Sequence, residues 1–199
     1  MKIKLRISIF GMLMLLILIF GDNSVYSVIA LSAAAIHEVG HIIAAKILGV
    51  EFKTLSLNLF GARLGLATPL YSYKKEFLLC AAGPAINLIT GDVALCLYNL
   101  RLPDEHILFF AIASFFLAIL NLLPIKSFDG GRMLISITAP LIGLYTAEKL
   151  LAVLSFISLL ILWGISLYLM LRVGSSLALF VFSSALFAEL FLTGDNFKG

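Results

Sequence analysis

Charge is what this sequence is shortest of. Only 13% of its 199 residues are Asp, Glu, Lys or Arg, against about 25% in an ordinary soluble domain. So few charges cannot clothe a solvated globule of this length. Cysteine is also scarce: Cys80 and Cys96 are the only two. Both fall in one expected helix, and sixteen residues of helix rise roughly 24 Å, so they cannot bond to each other. Their spacing fits no metal motif either, and they read as small apolar fillers. Internal repeats, low-complexity tracts and a separate soluble domain are absent. No small-residue cleavage site follows the first apolar stretch, so it reads as a retained span rather than a removed signal peptide. The net charge of +3 carries little by itself, and no nucleic-acid partner is expected.

What fills the chain is apolar residues, 62% of the total, in long stretches divided by charges and turn residues. That is the pattern of a polytopic membrane protein. Six spans are expected, at Leu5–Phe20, Val25–Leu48, Phe77–Tyr98, Ile107–Leu123, Leu150–Leu171 and Ser175–Leu192. The stretch Val50–Lys75 is less hydrophobic; its alternation, its glycines and Pro69 point to a short hairpin at residues 55 to 68. A loop and a short helix are expected between Pro124 and Pro140. The fold class is therefore an all-α polytopic membrane protein of six transmembrane helices with a short membrane-associated β-hairpin, in a single domain.

The basic residues set an orientation. With the amino terminus in the cytoplasm, that side holds Lys2, Lys4, Arg6, Lys46, Lys53, Arg63, Lys74, Lys75, Lys126, Arg132, Lys149 and Lys198; the opposite side holds Arg101 and Arg172. Twelve against two favours a multi-pass cell-membrane protein with both termini cytoplasmic.

The second span contains His37-Glu38-Val39-Gly40-His41. Residues four apart share a helix face, so two imidazoles can bind one zinc ion with Glu38 placed to take a proton from water. Ionisable residues are costly in an apolar span and functional by default. A satisfied polar cluster between helices is the bland alternative, and three such residues within five positions weigh against it. Catalytic zinc usually takes three protein ligands. Asp129 is the best candidate for the third: it follows span four on the side towards which span two runs, after Pro124 and before Gly130-Gly131, which would let the chain turn back. Its alternative is an aspartate in a plain cytoplasmic turn.

H-E-x-x-H followed by Asn121-x-x-Pro124-x-x-x-x-Asp129-Gly130-Gly131 resembles the site-2 protease family of intramembrane metalloproteases. Ala82-Gly83-Pro84-Ala85-Ile86-Asn87 is similar to the family's G-P-x-x-N element, and Leu59-Phe60-Gly61 resembles its membrane-inserted hairpin, with Ala62 where a second glycine is usual. The resemblance covers roughly residues 30 to 140. It implies one zinc held by His37, His41 and Asp129, Glu38 as catalytic acid/base, and a three-helix core of spans two to four. The six-span layout is similar to the stage IV sporulation protein FB branch, whose members activate a sporulation sigma-factor precursor. Many of those carry a nucleotide-binding CBS domain; only Asp195-Asn196-Phe197-Lys198-Gly199 follows span six here, so ATP control is not carried over.

Asn121 and Asn87 are candidates to bond substrate backbone or a developing oxyanion, or else tie helices together. Gly83-Pro84 reads as loosening span three and allowing close packing. Asp92 and Glu189 either face a water-filled cavity or reach the interface, the second being favoured, and His106 reads as an interface residue rather than a ligand. The expected partner is a membrane-bound or membrane-associated protein substrate, with room for a membrane partner that holds the enzyme inactive. The competing reading is a catalytically inactive zinc-binding scaffold, against which the intact Glu38 argues. A solute pathway is disfavoured because charged residues do not run through several spans.

Overall fold

The computed structural model describes residues 4–7, 25–50, 52–58, 61–66, 72–100, 103–173, 181 and 183–188. The described chain is mostly helical and divides into two compact units, Met1–Leu122 and Leu123–Gly199.

Three long helices build the first unit: α1 (Val25–Leu48), α2 (Tyr73–Leu100) and α3 (Glu105–Leu122). Each packs on the other two. The 24 residues of α1 rise roughly 36 Å, enough for a hydrocarbon layer of about 30 Å. Gly40 lets α1 and α2 approach closely, since a β-carbon there would stand 2.7 Å from the Ala82 carbonyl oxygen. Ala45 of α1 and Leu79 of α2 close the same seam further along. Large apolar side chains cover the outside of α1, among them Val28, Val39, Ile42, Ile43 and Ile47. Such a surface suits lipid, not water.

The helix ends are defined locally. Gly49 adopts φ 65°, and the Val50 amide donates to the Ala45 carbonyl at 2.8 Å, the six-to-one bond of a Schellman stop. Lys75 Nζ donates to the Leu48 carbonyl at 3.0 Å, placing a cation on the negative end of α1. At the start of α3, Asp104 accepts the His106 amide at 2.7 Å, an N-cap bond. That amide, and then the His106 ring, hold the Asp104 carboxyl below the usual carboxylate range.

Three strands complete this unit: β1 (Lys4–Ile7), β2 (Phe52–Asn58) and β3 (Gly61–Leu66), in the order β1-β2-β3. β2 and β3 are antiparallel, Asn58 facing Gly61 and Leu57 facing Ala62, in the stretch where alternation pointed to a hairpin. β1 corrects the expected first span. Leu5 to Ile7 lie in a strand paired parallel to β2, Leu5 opposite Leu55. The reason is a period of two in Lys4-Leu5-Arg6-Ile7, which a hydropathy window reads as the start of an apolar run. The remainder of that span, residues 8–20, lies outside the described residues.

The second unit holds α4 (Asp129–Ile142) and α5 (Leu144–Val173), which pack together. Gly143, at φ 80°, separates them. Ala147, Leu151, Ser155 and Leu159 recur every fourth residue as the buried stripe of α5. Residues 181 and 183–188 are helical where the sixth span is expected; Glu189 lies outside the described residues. Among the described residues, four helices are long and apolar enough to cross a membrane: α1, α2, α3 and the Leu144–Arg172 part of α5.

Candidate metal centre

Helix periodicity puts His37 and His41 on one face of α1, and that face is turned inward: both are buried, at 6% and 7% exposure. Their Nε2 atoms stand 3.2 Å apart, with the rings nearly perpendicular at 82°. Two imidazole nitrogens aimed at one point suit a divalent cation of the zinc type.

α2 supplies the other wall. His41 Nδ1 lies 2.8 Å from the Leu79 carbonyl oxygen. A carbonyl only accepts, so Nδ1 carries the proton and Nε2 keeps a lone pair for a metal. Gly83 lies against both rings. A β-carbon there would stand 2.7 Å from His37 Nε2 and would also strike His41 Nε2, filling the place where a cation would sit. The cradle therefore exists only because residue 83 has no side chain. The donors and the space fit zinc.

Between the two histidines, Glu38 is half-buried, and its Oε2 is shielded from solvent. Asn87 is completely buried, with Nδ2 3.4 Å from His37 Nδ1. The structure thus sets Asn87 against the back of His37 rather than on a surface a substrate could reach. Asn121, near the end of α3, donates from Nδ2 to the Leu117 carbonyl at 2.9 Å. His106 is bonded to Asp104 and stacked on Tyr26 at 5.5 Å. Asp92 is exposed, and Cys80 and Cys96 are not joined in a disulfide.

Asp129 is the first residue of α4 in the second unit. The turn before it is held from two sides. Ser155 of α5 accepts the Lys126 amide at 3.0 Å and donates to the Pro124 carbonyl at 3.1 Å. Ile125 and Phe128 are buried, and a β-carbon on Gly131 would strike the Ile125 carbonyl. Gly130 and Gly131 do not serve as flexible turn residues: both are helical, and among the described residues only Gly49 and Gly143 have positive φ. Gly131 makes room for the turn. Sequence reasoning missed Ser155 altogether, since one serine in an apolar span carries no signal. It took Gly83 as packing alone; its place four residues before Asn87 was the available clue.

Residues 103–165 match the family described as Peptidase family M50. The chain is also similar in sequence to proteins named as zinc metalloproteases. Rip3 of Mycobacterium tuberculosis is 32% identical over 114 residues, which are 54% of this chain and 29% of that protein. The Synechocystis protein sll0528 is 31% identical over 111 residues, with the same coverage of 54% and 29%. The chain thus matches less than a third of the length of these relatives. Its fold is that of the site-2 protease from Methanocaldococcus jannaschii, with a TM-score of 0.66 at 21% identity, covering 96% of this chain and 91% of that one.

Proposed function

We propose that this chain is an intramembrane zinc metalloprotease that hydrolyses peptide bonds of membrane-bound or membrane-associated proteins. The observation that carries the reading is the buried His37–His41 pair in an apolar helix, with Glu38 between them and Gly83 keeping the cradle clear. Asp129 is the third donor in this reading, on the resemblance of Asn121-x-x-Pro124-x-x-x-x-Asp129-Gly130-Gly131 to the family's second metal motif. A histidine pair with one carboxylate leaves a coordination position open, as catalytic zinc requires.

Zinc, when bound, supplies the Lewis acidity that makes water a nucleophile near neutral pH. Glu38 takes the proton from the attacking water and delivers it to the leaving amine nitrogen. Leu79 holds His41 in the tautomer that keeps Nε2 unprotonated. A substrate helix hides its peptide bonds, so the scissile segment must be extended; the outer edge of β3 offers a strand edge for that purpose.

The finer reading comprises six spans with both termini cytoplasmic, a membrane-associated hairpin, and a substrate reached from the cytoplasmic side. The twelve-to-two division of basic residues supports that orientation. A sporulation sigma-factor precursor as substrate rests on the six-span likeness alone, as does regulation by an inhibitory membrane partner. The deciding experiment is co-expression with a membrane-tethered candidate substrate. Glu38→Gln should keep zinc and fold while cleavage falls about 10²- to 10⁴-fold, the usual worth of a positioned acid/base. Undiminished cleavage would remove Glu38 from the mechanism.

A further inference from the structure

For both Nε2 atoms to offer lone pairs to a cation, both Nδ1 atoms must carry protons and need acceptors. His41 has one in the Leu79 carbonyl, 38 residues away in sequence. At His37 the neighbour of Nδ1 is a side chain. Behind its Nδ1, at 3.4 Å, stands the side-chain amide of Asn87, whose residue is wholly buried. The amide turns Nδ2, a donor, towards His37. Its acceptor, Oδ1, is buried with no hydrogen-bond partner among the described residues. A donor facing Nδ1 favours the proton on Nε2, which is the tautomer unable to bind metal.

Half a turn of the amide exchanges two groups of nearly equal shape. Oδ1 then faces Nδ1, the orphaned acceptor gains a donor, and His37 Nε2 is left with a lone pair. Building on the zinc reading above, we propose that Asn87 is a positioning residue: in the metal-loaded centre its Oδ1 accepts the His37 Nδ1 proton and fixes the ligating tautomer. Asn87 thus does for His37 what the Leu79 carbonyl does for His41. It does not contact substrate. The arrangement also explains why the amide is buried at the α1–α2 seam at all, where an apolar residue would pack at less desolvation cost.

The test is zinc affinity, measured by chelator competition on the purified full chain in detergent, for wild type, Asn87→Leu and Asn87→Asp. Leucine keeps the volume and removes the acceptor; loss of such an outer partner typically weakens metal binding about 10- to 100-fold. Aspartate can only accept, so it should bind zinc as tightly as wild type or more tightly. Equal affinity in Asn87→Leu would overturn the proposal while leaving the zinc site standing. If Asn87→Leu fails to fold, Asn87→Asp decides alone. Wild-type affinity there supports the acceptor role, and a tenfold loss, or no binding, overturns it. A wild-type chain that binds no zinc would sink the zinc reading itself, which separates the two failures.

Discussion

Gly83 lies directly against His37: a β-carbon on the glycine would come within 2.7 Å of the imidazole Nε2. One missing methyl group thus sets whether α2 can pass against the Nε2 side of both histidines. Gly83→Ala should push the rings aside, and overpacking of this kind costs about 1–3 kcal/mol. Thermal unfolding in detergent should show the loss, and bound zinc should fall with it. Gly164→Ala is the control, because a β-carbon there meets nothing within 4 Å. Unchanged zinc in Gly83→Ala would remove the cradle from the account.

Metal analysis of the purified chain should find close to one zinc per molecule. His37→Ala and Asp129→Ala should each lose most of it, whereas His106→Ala should not, its ring being held by Asp104 and Tyr26. Wild-type zinc in Asp129→Ala would move the third ligand to another residue.

Ser155→Ala deletes a buried hydroxyl that bonds both the Pro124 carbonyl and the Lys126 amide. Breaking such buried bonds costs about 1–3 kcal/mol, and the turn that leads into Asp129 loses its tie to α5. The melting temperature should drop, and zinc should bind more weakly although no ligand is touched. A lower melting temperature with unaltered zinc affinity would confine Ser155 to holding α4 on α5.

Cysteine labelling reads the orientation. In a Cys80→Ser, Cys96→Ser background, Asn23→Cys and Asp104→Cys should react with a membrane-impermeant reagent in intact cells, and Ser127→Cys should not. The opposite pattern would overturn the orientation, and with it the proposal that substrate is reached from the cytoplasmic side.

Local patterns determined a good part of this molecule. The limits of α1 coincide with the apolar run Val25–Leu48, because a helix in that setting needs only length and hydropathy. The His37–His41 pairing is equally local: a spacing of four on a helix brings two rings together whatever surrounds them. Asp104 before α3 and Gly49 after α1 are boundary signals, written next to the elements they begin and end.

Other features depended on residues far apart in the chain. Which face of α1 turns inward, and that Gly83, Leu79 and Asn87 line it, follow from the crossing of two helices at Gly40. The hydrogen bonds that make the site join residues 38 and 50 positions apart. No periodicity encodes such pairings. The fate of Lys4–Ile7 was likewise decided by β2, a strand about fifty residues later. Four residues of mixed character have no preference strong enough to choose between helix and strand until a partner supplies backbone hydrogen bonds. Sequence alone could specify the helices and the histidine pair; the tertiary fold chose the His41 tautomer, the cradle and the tie on the turn, because those rest on contacts that exist only once distant segments are packed.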